Sequence, residues 1–241
     1  MGSPDGLSVH TYNKFPPLKP IPREMKESPA LADLLSAIDA LIPRRIGPEA
    51  KFRIEHVVLA LLKLHRAGRI GRRKLASELG LGEGSVRSLL KRLVSSGLAE
   101  SSRAGWGLAP SGEELIESLK RFLVGPIRVR AGNLTVSSKD AAVLVRGGER
   151  GVTTGLGIRD AAFRAGADGA TVLVLRPDAV YFPDGVKCPG DLQKKAREIA
   201  KSLKARTGDA IIIGTSKNYV LAELGAISGA INLLRRISSM E

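Results

Sequence analysis

The chain has 241 residues, of which 43% are hydrophobic, 26% are charged and only nine are aromatic, a composition typical of one large or two small globular domains. Its lone cysteine, Cys188, excludes an internal disulfide, and its three histidines lack the spacing of metal ligands. Lysine and arginine outnumber aspartate and glutamate by 38 to 24, and the net charge of +14 favours a polyanion such as nucleic acid as partner.

The hydropathy pattern gives no indication of a membrane protein. No apolar run approaches the length of about eighteen residues that a membrane helix needs, and the sequence does not start with a basic and then apolar stretch. We therefore expect a cytoplasmic protein without a membrane partner. We also find no pattern that predicts a cofactor or a metal ion.

The first 27 residues are predicted to form an arm. They contain five prolines, which remove backbone donors and favour extended structure, namely Pro4, Pro16, Pro17, Pro20 and Pro22. Ser28 and Pro29 then have the pattern of an N-cap followed by proline at the first helical position. We expect a leading helix that reaches Leu41 and stops before Pro43.

A helical domain is predicted for residues 28–124. Apolar residues recur at helical spacing from Ile54 to Leu62, and Gly68 ends that helix. A short second helix spans residues 72–80, and a third is expected to start with Ser85 as its N-cap. A hairpin around residues 102–105 follows, and Pro110 then opens a last helix.

The third helix is expected to have one apolar and one basic face. Its apolar stripe consists of Val86, Leu89, Leu90, Leu93 and Val94. The opposite face carries three cations and two serines, namely Arg87, Ser88, Lys91, Arg92 and Ser95. Because no acid lies between Ser85 and Gly97, this face suits contact with phosphates better than simple solvation.

This order of elements resembles the winged helix-turn-helix of bacterial and archaeal regulators of the MarR or DtxR type. The stretch ASELGLGEGSVRSLLKRLVSSGLAESSRAGWGLAPSGEELIESL carries the resemblance, which covers about residues 50–124. In that family the third helix enters the major groove and the wing contacts the backbone or the minor groove. The resemblance implies a DNA-binding set of Ser85, Arg87, Ser88, Lys91, Arg92 and Arg103.

Within this set, Arg87 is the first candidate for bidentate readout of guanine, and Lys91 and Arg92 suit phosphate contacts. Trp106 either joins Arg103 in contacting DNA or packs in the core and fixes the hairpin. Binding of a protein instead of DNA is the alternative, because some winged helices bind proteins. The wing of this chain is also short and holds only one basic residue.

Gly125-Pro126 is predicted to separate the helical domain from a C-terminal domain at residues 125–241. The pattern there is two strands, a helix, two strands, a helix, a strand and a final helix. The fold class is therefore α+β: an N-terminal winged helix-turn-helix followed by a two-layer α/β sandwich. We expect its helices on one face of a mainly antiparallel sheet.

No catalytic motif is apparent in the C-terminal domain, so we do not expect an enzyme. Gly155-Leu156-Gly157 is a poor dinucleotide fingerprint, because Asp160 occupies the place of the third glycine. Two loops that open helices are candidates for an anionic ligand, through Arg159, Asp160, Thr215, Ser216, Lys217 and Asn218. The alternative is ordinary capping of those helices by Ser216 or Asn218.

The final helix carries a stripe of small residues, which either packs on its own sheet or forms a dimer contact. The stripe is Ala222, Gly225, Ala226, Gly229 and Ala230. As a whole, the chain resembles an archaeal family of uncharacterised proteins that joins a winged helix to an α/β domain. The runs GLGIRDAAFRAGADGATVLVL and IIIGTSKNYVLAELGAISGAINLL carry that resemblance, and the second domain resembles the GAD domain of translation-related enzymes.

We therefore expect a transcriptional regulator that binds double-stranded DNA as a homodimer. Its C-terminal domain is expected to bind a small anionic effector or to dimerise. One alternative is an RNA-associated or translation-related binding protein, which the GAD-like resemblance and the basic C-terminal half favour. The other alternative is an enzyme that acts on an anionic small molecule between the loops of Arg159 and Lys217.

Overall fold

The computed structural model describes residues 29–42 and 52–241, so the predicted arm lies outside the described residues. The helices are α1 (Leu31–Asp39), α2 (Ile54–Ala67), α3 (Arg72–Leu79), α4 (Glu83–Ser95), α5 (Pro110–Lys120), α6 (Leu156–Arg164), α7 (Gly190–Ser202) and α8 (Tyr219–Ser238). The strands are β1 (Ala99–Ser102), β2 (Gly105–Leu108), β3 (Leu123–Val129), β4 (Lys139–Val145), β5 (Gly169–Leu175), β6 (Val180–Tyr181) and β7 (Ala210–Ser216). No helix within these two ranges is long and apolar enough to cross a membrane.

Helices α1–α5 and the hairpin β1–β2 form a helical unit with the predicted order of elements. Helix α2 buries a continuous run from Val57 to Leu64, which extends the predicted stripe. Gly80 caps α3 in the left-handed conformation, as its position after the last apolar residue predicts. The closing helix α5 begins at Pro110, whose missing N–H is not needed in the first turn.

Two helices of this unit begin at other residues than predicted. Helix α1 starts at Leu31 behind the N-cap Ala30, and the predicted cap Ser28 lies outside the described residues. Helix α4 starts at Glu83, because the extended Gly82 serves as its N-cap and places Ser85 inside the first turn. Val94, predicted to be buried, is 42% exposed, since it lies in the last turn at the border of the apolar stripe.

The second half of the chain forms a five-stranded sheet in the order β3-β4-β7-β5-β6, with every neighbouring pair antiparallel. The mainly antiparallel character of the sheet is as predicted. Gly125 and Pro126, where the boundary between the domains is predicted, both lie inside β3. A shift of register between Val124 and Ile127 accommodates the proline on this edge strand, where its missing donor breaks no ladder.

Helices cover both faces of this sheet, so the prediction of two layers with all helices on one face is wrong. One face, which includes Val143, Val172 and Ile212, belongs to the same core as α6 and α8. The opposite face packs against residues of α7, such as Ile199. The amphipathic pattern of α7 predicts that one side of this helix is buried. The pattern does not specify which face of the sheet the helix covers.

Helix α8 joins the two units through one continuous core. The apolar cluster that includes α8 also includes the buried residues of α1, α2, α3 and α4. At the junction, Lys63 of α2 lies 3.0 Å from a carboxylate oxygen of Glu223 of α8. The helical unit therefore has a fixed position on the sheet unit, which also determines where its exposed cations point.

Candidate nucleic-acid interface

The outer face of α4 presents the basic residues that the sequence predicts to be exposed. Arg87, Ser88 and Lys91 are exposed, whereas Arg92 and Ser85 are partly buried. The hydroxyl of Ser88 donates to the carbonyl oxygen of Gly84 at 3.1 Å, so it is engaged by its own helix. Such an i−4 bond is common for serine in helices.

Arg92 remains a cation in this partly enclosed position. Burial lowers the pKa of the Arg92 guanidinium. Because the pKa of arginine ordinarily lies far above neutral, the side chain stays charged at neutral pH. Together with Arg87 and Lys91 it gives α4 three positive charges within six residues. The sequence between Ser85 and Gly97 contains no acid.

One carboxylate, that of Glu83, lies at the N-terminal end of this face, because α4 begins three residues earlier than predicted. It contacts Arg72 at 3.2 Å and Arg73 at 3.4 Å, and both arginines belong to α3. The two helices thus meet through one acid and two cations, and the combined surface keeps an excess of positive charge. We call this surface, formed by Arg72, Arg73, Arg87, Lys91 and Arg92, the α3–α4 face.

The first turn of α3 extends the positive field beyond the residues that the sequence analysis selected. It carries Arg72, Arg73 and Lys74 with no acid, and its N-cap Gly71 contributes no side-chain bond. Cations at a helix N-terminus oppose the helix dipole, at a cost of about 0.3–1 kcal/mol each. An anion bound at this terminus would offset that cost. The run RIGRRK, with four cations in six residues, was the signal available in the sequence.

Two glycines hold the hairpin β1–β2 beside the start of α3. A Cβ at Gly105 would lie 2.7 Å from the carbonyl oxygen of Ile70, and one at Gly107 would lie 2.6 Å from that of Gly68. This close approach lets Ile70 and Trp106 exchange two backbone hydrogen bonds of 2.8 and 2.9 Å. Any larger residue at either glycine would push the hairpin away from α3.

Arg103 lies at the exposed tip of this hairpin, in the turn between Ser102 and Gly105. The Ser102 hydroxyl accepts a hydrogen bond from the N–H of Ala104 at 3.2 Å, which stabilises the turn. Trp106 is only partly exposed and packs against the main core. This position agrees with the interpretation of Trp106 as a core residue that fixes the hairpin.

The six ligand residues predicted in the C-terminal half do not form one site. Arg159 and Thr215 line a half-open cavity of about 510 Å³ beside β5. Asp160, Ser216, Lys217 and Asn218 are all described, and none of them lines this cavity. Asn218 instead accepts a hydrogen bond from the N–H of Leu221 at 2.9 Å, which is ordinary capping of α8.

Each unit of the chain matches a family model. Residues 53–114 match the model described as PH0730-like, N-terminal domain, and residues 136–233 match the model described as Domain of unknown function (DUF4443). The chain thus combines segments similar to these two families, with the first match on the helical unit and the second on the sheet unit. Neither description states a ligand or an activity.

Among solved structures, the chain is similar to "Hypothetical protein PH0730 from Pyrococcus horikoshii OT3". The two are 25% identical and superpose with a TM-score of 0.60, over 79% of this chain and 95% of that chain. The resemblance to uncharacterised archaeal proteins is therefore supported by this similarity. The search of curated proteins gives no match.

Proposed function

We propose that the chain is a DNA-binding transcriptional regulator in which α2–α5 and β1–β2 constitute a winged helix-turn-helix domain. The observation that carries this proposal is the α3–α4 face. It exposes Arg87 and Lys91 on α4 beside two cations, Arg72 and Arg73, at the start of α3. Such a concentration of cations favours a polyphosphate backbone, because binding releases condensed counterions from the nucleic acid.

In this proposal α4 is the recognition helix and lies in the major groove. Arg87, in the N-terminal half of α4, would form a bidentate contact with guanine, whereas Lys91 and Arg92 would contact phosphates. The start of α3 would hold a phosphate with its free N–H groups and with Arg72 and Arg73. Arg103 at the tip of the hairpin would reach the adjacent backbone or minor groove.

The sheet unit would then position two copies of the helical unit or respond to an effector. A two-fold dimer places two recognition helices about 34 Å apart, one turn of DNA, so its operator would be palindromic. Because α8 packs against both α2 and the sheet, a change in the sheet unit can reach the recognition helix through one rigid element.

Selection of genomic DNA fragments by the purified protein at near-physiological salt tests the proposal. We expect enrichment of a few palindromic sites. The Arg87→Ala variant should lose about 1–3 kcal/mol of affinity for the selected site and relax its sequence preference, whereas Lys91→Ala should weaken all DNA similarly. Lys201→Ala removes an exposed cation of α7 and is the matched control, for which we expect unchanged affinity.

Two results would contradict the proposal. If Arg87→Ala and Lys91→Ala bind DNA as the unaltered chain does, α4 is not the recognition helix. If binding is uniform across sequences and disappears with salt, the protein is not a sequence-specific regulator.

A second candidate function is binding of structured RNA. The specific observation is a basic cluster on the sheet unit, where Arg128 and Lys139 lie over the ring of Tyr219 at 4.5 and 5.5 Å from its centroid. Cations and aromatic rings together are typical of surfaces that bind RNA. Tighter binding to structured RNA than to duplex DNA at equal salt would select this function.

A further inference from the structure

The cavity beside β5 lies along a part of the sheet edge that β6 does not cover, since β6 pairs only with the last two residues of β5. The N–H of Arg176, just after β5, donates outward to Ala179 at 2.9 Å. Because this direction alternates along an antiparallel strand, the N–H and C=O groups of Ala170 and Val172 also point outward. No group of the described residues forms a hydrogen bond with them, so the floor of the cavity offers unused donors and acceptors.

The cavity is closed at both ends of this uncovered edge. At one end, a Cβ at Gly169 would lie 3.7 Å from Val136 and 3.9 Å from Phe163, so these two side chains come together beside the start of β5. At the other end, a Cβ at Gly155 would lie 2.9 Å from Pro183. The edge between the two ends spans about 10 Å, three residues at the usual rise of a strand. The volume of about 510 Å³ is that of a small-molecule site, and the closed ends favour a compact ligand over an extended chain.

The charged side chains that line the cavity are one cation and two carboxylates. Arg159 forms no ion pair or side-chain hydrogen bond with any residue that the structure describes. Asp168 accepts a hydrogen bond from the hydroxyl of Ser137 at 2.7 Å. One oxygen of Asp184 accepts from the N–H of Val186 at 3.1 Å, and its other oxygen has no partner among the described residues. This balance of charge suits a ligand with one negative and one positive group better than a phosphate-rich anion.

Two accessible apolar side chains lie at the Gly169 end of the cavity. Val136 is 82% exposed and Phe163 is 50% exposed. Arg159 precedes Phe163 by about one turn of α6, and Asp184 follows Pro183 at the opposite end. The cavity therefore presents an apolar end, then a cation, then a carboxylate.

We propose that this cavity binds a free α-amino acid with an apolar side chain. Its carboxylate accepts hydrogen bonds from the guanidinium of Arg159 and from the outward N–H of Val172, and its ammonium group donates to the outward C=O of Val172 and to Asp184. Its side chain packs against Phe163 and Val136. The use of this ligand as the effector of a regulator rests on the proposed function, whereas the binding itself does not.

NMR titration of the full-length chain with L-leucine and with L-phenylalanine tests the proposal. We expect saturable shifts of the Ala170 and Val172 amide signals, with a Kd of about 1 mM or tighter for at least one of the two. Hydrocinnamate lacks the ammonium group of phenylalanine and phenethylamine lacks its carboxylate, and isocaproate and isopentylamine are the same pair for leucine. Each analogue should bind at least roughly tenfold more weakly than its amino acid. Because the titration contains no DNA, its failure leaves the proposed DNA binding untouched.

Two variants test the assigned contacts. Arg159→Met and Asp184→Asn should each weaken binding of the amino acid by roughly tenfold. Arg164→Met removes an exposed cation of the same helix that does not line the cavity, and this matched control should leave the Kd unchanged.

Three results would overturn the proposal. The first is the absence of saturable shifts at Ala170 and Val172 with both amino acids, and the second is an unchanged Kd in Arg159→Met. The third is tighter binding of inorganic phosphate than of either amino acid at these amides, because the cavity then recognises an anion alone.

Discussion

The junction between the two units and the α3–α4 face use charged side chains in opposite ways. At the junction, the side chains of Lys63 and Glu223 are only 10% and 5% exposed, and they contact each other at 3.0 Å. On the α3–α4 face, Arg87 and Lys91 are exposed to solvent on a helix whose opposite side is fully apolar. The side chains of Lys63 and Glu223 are largely removed from solvent, whereas those of Arg87 and Lys91 are exposed to it.

This difference separates charges that are buried within the fold from charges that are exposed at its surface. A buried ion pair loses its hydration on folding, so removal of one member leaves the other uncompensated. Exposed cations keep their hydration, and their removal changes the stability of the fold by only a few tenths of a kcal/mol. Stability and binding measurements should therefore respond to different substitutions.

The largest expected effect is at the junction. Lys63→Met should lower the free energy of unfolding by about 3 kcal/mol, because Glu223 then keeps only the contact with Arg128. The side chain of Arg128 is 53% exposed, so its attraction is weakened by solvent. Urea unfolding at neutral pH measures the change.

The double variant Lys63→Met/Glu223→Met is the control for this prediction. It removes both charges and fills the junction with apolar side chains, so most of the lost stability should return. If Lys63→Met is as stable as the unaltered chain, the Lys63–Glu223 ion pair does not stabilise the fold. The stated difference between the junction and the α3–α4 face is then wrong.

A second, smaller effect is expected at the start of α2, where a neutral histidine caps the helix. The ring nitrogen Nδ1 of His56 accepts a hydrogen bond from the N–H of Arg53 at 3.2 Å. Burial, and then the charge of Arg53, lowers the pKa of His56 to about 4. Since the unfolded chain binds the proton near pH 6.5, stability from this group is present above pH 6.5 and is lost as the pH falls toward 4.

His56→Gln keeps an acceptor at the same helix position but does not titrate. Between pH 7.5 and 5 the unaltered chain should lose about 1 kcal/mol more than the variant, a value reduced because water reaches part of the ring. Urea unfolding at both pH values gives this difference. Equal losses in the two proteins would show that His56 is not held neutral in the folded state.

The sequence predicted local elements better than their arrangement. Helical spacing from Ile54 onward located α2, because it reflects burial of one side of a helix, and continuous apolar runs located β4, β5 and β7, which are buried on both faces. The covering of both faces of the sheet was missed, because the apolar stripe of α7 is the same whichever face it packs on. Gly125-Pro126 predicted a boundary, but an edge strand tolerates a proline that a central strand would exclude.

The candidate interface was predicted in part. The exposed cations of α4 follow directly from helical geometry, so Arg87 and Lys91 could be selected from sequence. Glu83 was placed outside α4, because Ser85 is a better N-cap by residue type than Gly82. The contribution of Arg72 and Arg73 required the contact between α3 and α4, which no local pattern contains.

The smallest expected effect concerns Glu83, which is exposed like the cations of the α3–α4 face but forms ion pairs within the fold. Its carboxylate contacts Arg72 and Arg73, and all three side chains are more than a third exposed. Glu83→Gln should therefore lower the stability of the fold by less than about 1 kcal/mol, through lost surface ion pairs and a lost charge at the N-terminus of α4.

The same substitution should change DNA affinity in the opposite direction. Because Glu83 is the acid on a surface proposed to face phosphates, its removal should tighten binding by roughly twofold to fivefold at low salt, and less at high salt. Fluorescence anisotropy with the selected DNA fragment at two salt concentrations measures the effect, and Glu198→Gln, which removes an exposed acid of α7, is the matched control. Unchanged or weaker binding by Glu83→Gln would place the phosphates away from the α3–α4 face, and the cations there would then belong to the solvated surface.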